Sequence, residues 1–99
     1  MALSINWLPQ AELTRDNIFN YISQNWGELR AIAFIVELDH LVVQISQVSV
    51  QYQRFEAGNC YRVPVTRQNT LYYDVVGNRL DILTVWDTRQ DPTKLLESL

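Results

Sequence analysis

The dipeptide Gly77-Asn78, set between two runs rich in β-branched and aromatic residues, constrains this chain more than any other feature. Val76 and Arg79 flank it. Gly takes positive φ at no steric cost and Asn tolerates it better than most residues, so the pair suits a two-residue β-hairpin loop. Such a loop fixes the register of both strands. Val75 is then expected opposite Leu80, Tyr73 opposite Ile82 and Leu71 opposite Thr84. These share one face, because side chains alternate along a strand. The other face pairs Tyr72 with Leu83 and Asp74 with Asp81. The first face is a core face, and the second is mixed and partly wet.

Asp74 opposite Asp81 is a local conflict, because like charges directly across a ladder repel. Arg79 is placed to relieve it at either carboxylate. On this reading Asp81→Asn is neutral or slightly stabilising.

The hairpin belongs to a longer stretch, Arg62 to Pro92, that reads as three strands and an exit loop. Arg62, Arg67, Asp87, Arg89 and Asp91 lie along it, separated by segments apolar enough to build a sheet. Polar groups gathered at the ends of a small sheet are candidates for binding a target or an anion. Tyr72 joins them as a ring along which Arg62 could lie. Each has a structural alternative: Arg89 could lock the exit loop between Asp87 and Asp91, and Arg62 could pair with Glu56.

The first half reads as strand, helix, helix. Leu3, Ile5 and Trp7 alternate in a short strand over Ser4–Leu8 that Pro9 stops. Pro9 and Glu12 suit the first turn of a helix, whose apolar face holds Ala11, Ile18, Tyr21 and Ile22, with Asn25. Gly27 ends that helix, and Glu28 begins a second. The second carries Leu29, Ile32, Ala33, Val36, Leu41, Ile45 and Val48, with Phe34, Ile35, Leu38, Val42 and Val43 widening the stripe. A helix this apolar is sandwiched between the sheet and a further surface, either its partner helix or another chain.

At 99 residues one domain, spanning 1–99, is expected. The formal charge is −3, which argues against strong nonspecific binding to nucleic acid. Residues 1–50 hold two basic and five acidic side chains, residues 51–99 six of each, so an anion-facing surface belongs to the second half. Cys60 is the only cysteine, so no internal disulfide forms, as befits a reducing compartment. The N-terminus lacks a signal-peptide pattern and no apolar run is long enough to span a bilayer, so a soluble cytoplasmic protein is expected. His40 is the only histidine and reads as a partly exposed helix residue. There is no zinc spacing, no phosphate-binding glycine loop and no Ser-His-Asp or Cys-His pattern, so no catalytic residue, metal or cofactor is assigned.

The β-α-α-β-β-β order, with Trp7-Leu-Pro-Gln-Ala11, Ile18-Phe-Asn-Tyr-Ile22, Asn25-Trp-Gly27, Arg62-Val-Pro-Val-Thr-Arg67, Asn69-Thr-Leu-Tyr-Tyr73, Ile82-Leu83 and Asp87-Thr-Arg-Gln-Asp-Pro92, resembles the RelE/ParE superfamily of toxins from type II toxin–antitoxin modules. The resemblance covers nearly the whole chain and rests on the order and spacing of these elements together. It implies an α+β fold, with a helical hairpin packed on a small antiparallel sheet. It also implies growth arrest as the activity, and a cognate antitoxin as partner in a hetero-oligomer. RelE-like members cut mRNA in the ribosomal A site, whereas ParE-like members poison DNA gyrase. Arg62, Tyr73 and Arg89 match recognisable family positions. A late Tyr or His proton donor is missing after Trp86, and the sheet has no lysine, which favours the ParE-like branch. A RelE-like ribonuclease acting on ribosome and mRNA, or a diverged inactive binding protein, are the alternatives.

Overall fold

The computed structural model describes residues 2–47 and 52–99. The chain runs β1 (Ser4–Trp7), α1 (Pro9–Trp26), α2 (Glu28–Gln47), β2 (Gln53–Phe55), β3 (Cys60–Pro64), β4 (Asn69–Val76), β5 (Arg79–Asp87) and α3 (Pro92–Ser98), with a 3-10 turn over Glu56–Gly58. The α+β order is the one expected, with two additions, β2 and α3. β1 joins β5 in parallel, so the sheet is mixed rather than wholly antiparallel, in the order β1-β5-β4-β3-β2.

Pro9 is the first residue of α1, and Leu8 offers it no side-chain cap. The backbone fastens this corner instead, the Leu8 amide donating to the Ile82 carbonyl at 3.1 Å. Gly27 has φ +99°, a conformation that L side chains rarely adopt, and there the chain reverses into α2. α1 and α2 cover one sheet face, burying Ala11, Phe34, Leu38, Val42 and Ile45 against Leu71, Tyr73, Leu80 and Ile82. α3 covers part of the other face, with Leu95 against Cys60, Tyr72 and Trp86. Burial pushes the Cys60 thiol up from its ordinary value, and likewise the Tyr73 phenol.

The hairpin register holds from the turn to Tyr73 opposite Ile82, including Val75 opposite Leu80 and Asp74 opposite Asp81. It then shifts. Tyr72 pairs with Thr84 and Leu71 with Val85, leaving Leu83 as the extra residue of a β-bulge. The expected pairs Leu71–Thr84 and Tyr72–Leu83 are therefore replaced. The physical reason lies on α1, where the Thr14 hydroxyl accepts from the Val85 amide at 3.1 Å and from the Thr84 hydroxyl at 3.3 Å. The bulge exchanges the strand's faces, so Leu80, Ile82 and then Val85 join the helix-side core, while Leu83 and Trp86 join the core under α3.

The carboxylate conflict is resolved asymmetrically. Asp81 takes two bonds from Arg79, at 2.7 and 3.1 Å, and a third from Asn6 Nδ2 at 2.9 Å. Asp74 turns back to its own strand and accepts from the Val75 amide. Arg79 and Asn6 together hold the Asp81 carboxyl below its ordinary value. Asp81 is thus ion-paired within β5 and hydrogen-bonded to β1 through Asn6, and a neutral Asp81→Asn exchange no longer follows.

α2 turns inward with Ala31, Phe34, Leu38, Val42 and Ile45. Of the stripe first assigned to it, Ile45 is buried, but Leu29, Ile32 and Val36 are exposed. Val48 lies outside the described residues.

Candidate functional site

An open groove of about 660 Å³ lies where the helical hairpin meets the sheet's loop end. α1 contributes Asn17, Ile18, Tyr21, Ile22 and Trp26, and α2 contributes Arg30, Ala33, Phe34 and Glu37. The loop before β4 adds Thr66 and Gln68, the start of β4 adds Asn69, and the end of β5 with the turn after it adds Asp87, Arg89 and Gln90.

The two loops are tied together. Val65 N donates to the Asn69 carbonyl at 2.9 Å, and Asn69 Nδ2 donates to Thr66 Oγ1 at 3.0 Å. Thr88 N donates to the Gln68 carbonyl at 2.8 Å, which joins this loop to the β5 exit. Asn69 is itself buried and pairs with Asp87 in the β4–β5 ladder.

Arg89 is the central cation of the wall. Its Nε donates to Asp87 Oδ1 at 3.0 Å and its Nη2 to Asp87 Oδ2 at 2.7 Å. Asp87 Oδ1 also takes the Arg89 backbone amide at 2.9 Å. This fork-on-carboxylate geometry is the strong form of an ion pair. The Arg89 guanidinium holds the Asp87 carboxyl below its ordinary value although partial burial opposes the shift, and the Arg89 pKa rises in turn. The same guanidinium lies over Tyr21, 5.2 Å from the ring centroid. A second cation–aromatic pair stands on the helical side, with Arg30 5.6 Å above Trp26. Trp26 is 60% exposed, a large apolar surface at the lip of the groove.

The sequence candidates separate into three groups. Asp87 and Arg89 are in the groove. Arg67 sits exposed in the loop between Thr66 and Gln68 but is not part of the wall. Arg62, Tyr72 and Asp91 lie elsewhere. Arg62 Nε donates to Gln53 Oε1 at 3.2 Å and its guanidinium covers Phe55, in place of the pairing with Glu56 or Tyr72. Glu56 is 3.7 Å from Arg54 instead. Tyr72 is buried edge-on to Phe55 beneath α3 and is a core residue. Asp91 caps α3, accepting from the Thr93 amide at 3.0 Å and its hydroxyl at 2.9 Å. Among the described residues Arg89 therefore ion-pairs with Asp87 and not with Asp91. His40 is exposed on α2, outside the groove.

Tyr21, Trp26 and Arg30 are the site residues that sequence reasoning missed. Tyr21 was assigned to an apolar helix face, and Trp26 sits one residue before the glycine that ends α1. A large aromatic beside a helix-ending glycine was the available signal. Among the described residues there is no group of three or more His, Cys, Asp or Glu placed to hold a metal ion. No helix of the described residues is long and apolar enough to cross a membrane.

The fold is shared with chains of two solved toxin–antitoxin assemblies. The chain is similar to a chain of the chromosomal ParDE TA system from P. aeruginosa, with a TM-score of 0.76 and 18% identity over 87% of this chain and 96% of that one. It is also similar to a chain of the YoeB-YefM complex from Staphylococcus aureus, with a TM-score of 0.56 and 17% identity over 86% and 95%. No curated protein matches in sequence. The family model described as ParE toxin of type II toxin-antitoxin system, parDE, matches residues 5–92, and the chain belongs to that family. It is the toxin component of a type II toxin–antitoxin module.

Proposed function

We propose that this toxin arrests growth by docking onto a protein target, DNA gyrase, and that a cognate antitoxin neutralises it by filling the groove in a toxin–antitoxin hetero-oligomer. The observation that carries this reading is the clamped Asp87–Arg89–Tyr21 wall. Arg89 spends its fork on an internal carboxylate, so the groove offers a preformed aromatic and amide surface with one locked charge pair. Such a surface suits recognition of another protein.

Cleavage of RNA asks for something different. A base must reach the ribose 2′-OH, cations must gather on the phosphate, and an acid must protonate the leaving oxygen. Arg62 is engaged on β2, Arg67 points from an exposed loop, and Arg89 is neutralised. That distribution supports the ParE-like reading over the ribonuclease one.

Induced expression of this chain alone should arrest growth, and co-expression with the product of the adjoining reading frame should restore it. Normal growth with soluble, folded protein present would contradict the proposal.

A further inference from the structure

α3 is attached to the rest of the fold by the chain and by apolar contact. Its polar bonds are internal. Asp91 accepts from Thr93, Ser98 Oγ donates to the Lys94 carbonyl at 3.1 Å, and the Leu99 amide donates to the Leu96 carbonyl at 3.4 Å. Among the described residues no hydrogen bond or ion pair runs from residues 91–99 to the sheet. α1 differs, because the Leu8 amide and the Thr14 hydroxyl fasten it to β5. Leu95 is the one buried residue of α3. Leu99 adds a second foothold at Gly58, where a Cβ would stand 2.6 Å from Leu99 Cδ1. A helix of seven residues is not stable alone in water, so α3 keeps its shape only while these two leucines stay docked.

The face beneath is not fully satisfied when covered. Cys60, Tyr72 and Trp86 are buried there, with Phe55 and Leu83 beside them. Trp86 Nε1 is a buried donor without an acceptor among the described residues. A donor left unpaired in the interior is destabilising, and opening returns it to water. The closed form is held by two leucines against one stranded N–H, which is the balance of a segment that opens locally and not with the core.

This segment starts at the groove. Gln90 lines the groove, and its amide donates to the Asp87 carbonyl at 3.0 Å. Arg89 locks the same turn onto the Asp87 carboxylate, and Asp91 then begins α3. The direction in which α3 leaves the sheet is therefore set by the groove's own ion pair. We propose that α3 is a hinged cover that opens as a unit about Gln90–Asp91 while the rest of the fold stays closed, and that the Asp87–Arg89 clamp sets how often it opens. Such coupling is reciprocal, so an occupant of the groove that tightens the clamp also holds α3 shut. The coupling is indifferent to whether gyrase or another partner fills the groove.

Cys60, the only cysteine and fully buried in the covered cluster, reports the opening. The full chain is alkylated with N-ethylmaleimide and the rate is followed by intact mass. The rate should be flat across sub-denaturing urea, because a local opening exposes little surface. Leu95→Ala should raise it at least about tenfold by removing the main foothold, and Leu95→Met should restore the wild-type rate. Arg89→Ala, which leaves the covered cluster intact, should also raise it. Hydrogen exchange at the Trp86 indole should quicken in the same two variants, while that of Ile82 on the other core keeps its wild-type rate. A wild-type rate that climbs with urea in step with global unfolding overturns the cover. So does a Leu95→Ala protein that fails to fold or labels at the wild-type rate. Faster labelling in Leu95→Ala with none in Arg89→Ala overturns control by the clamp.

Discussion

The guanidinium of Arg89 lies 5.2 Å from the centroid of the Tyr21 ring, and so joins the exit of β5 to the middle of α1 across the groove. Asp87 grips that guanidinium from below at 2.7 and 3.0 Å. One arginine thereby sets the spacing between the helical and sheet walls of the site.

Removing it should loosen the groove without unfolding the domain. Arg89→Ala is expected to weaken both growth arrest and antitoxin binding. It should also free Asp87. With the guanidinium gone, partial burial is opposed only by the backbone amide of residue 89, so the pKa of that carboxyl should rise from its depressed value toward the ordinary 3.8. An NMR titration of the Asp87 carboxyl reads this directly. A pKa unchanged from wild type would show that the guanidinium is not what holds it.

Asp81 behaves oppositely to the expectation from sequence. Its bonds to Arg79 and Asn6 depress its folded pKa, so the contribution to stability is present above the unfolded value of 3.8 and is lost as the pH falls through the lower folded value. Asp81→Asn should therefore melt below wild type at pH 7, and the two melting curves should converge in strong acid. Equal melting temperatures at pH 7 would mean these bonds contribute nothing.

The bulge depends on a single hydroxyl. Thr14 Oγ1 donates to the Ala11 carbonyl at 3.1 Å while accepting from Val85 N and Thr84 Oγ1. Thr14→Ala strands a buried strand amide and should cost about 1–3 kcal/mol. Chemical denaturation measures this, and accelerated hydrogen exchange at Val85 would localise it.

Ile82 is fully buried on the helix side, directly across from Tyr73. Ile82→Ala should cost about 2–5 kcal/mol, a large share of the stability of so small a domain. A denaturation midpoint equal to wild type would contradict the core assignment.

These residues also show how far the sequence could be read. The two-residue turn set the register as far as Tyr73 and Ile82, because that information is local. The shift at Leu83 is not local, since it is fixed by Thr14 some seventy residues away. β2 escaped notice because three residues form a strand only by pairing with β3. α3 was legible but unread, as Asp91-Pro92 is a cap followed by a first-turn proline. α2 is apolar on two faces, and periodicity cannot say which of them turns inward. In the site, Asp87 and Arg89 were found because they are neighbours in sequence. Tyr21, Trp26 and Arg30 reach the groove only through packing of the helical hairpin on the sheet.

The central claim is that this ParE-family toxin acts by binding a protein target and not by cutting RNA. Purified toxin tested in parallel on gyrase supercoiling and on ribosome-bound mRNA addresses it most directly. The account predicts inhibited supercoiling, weakened by Arg89→Ala, with mRNA left intact. Unimpaired gyrase together with codon-dependent mRNA cleavage that disappears in Arg62→Ala or Arg89→Ala would contradict it.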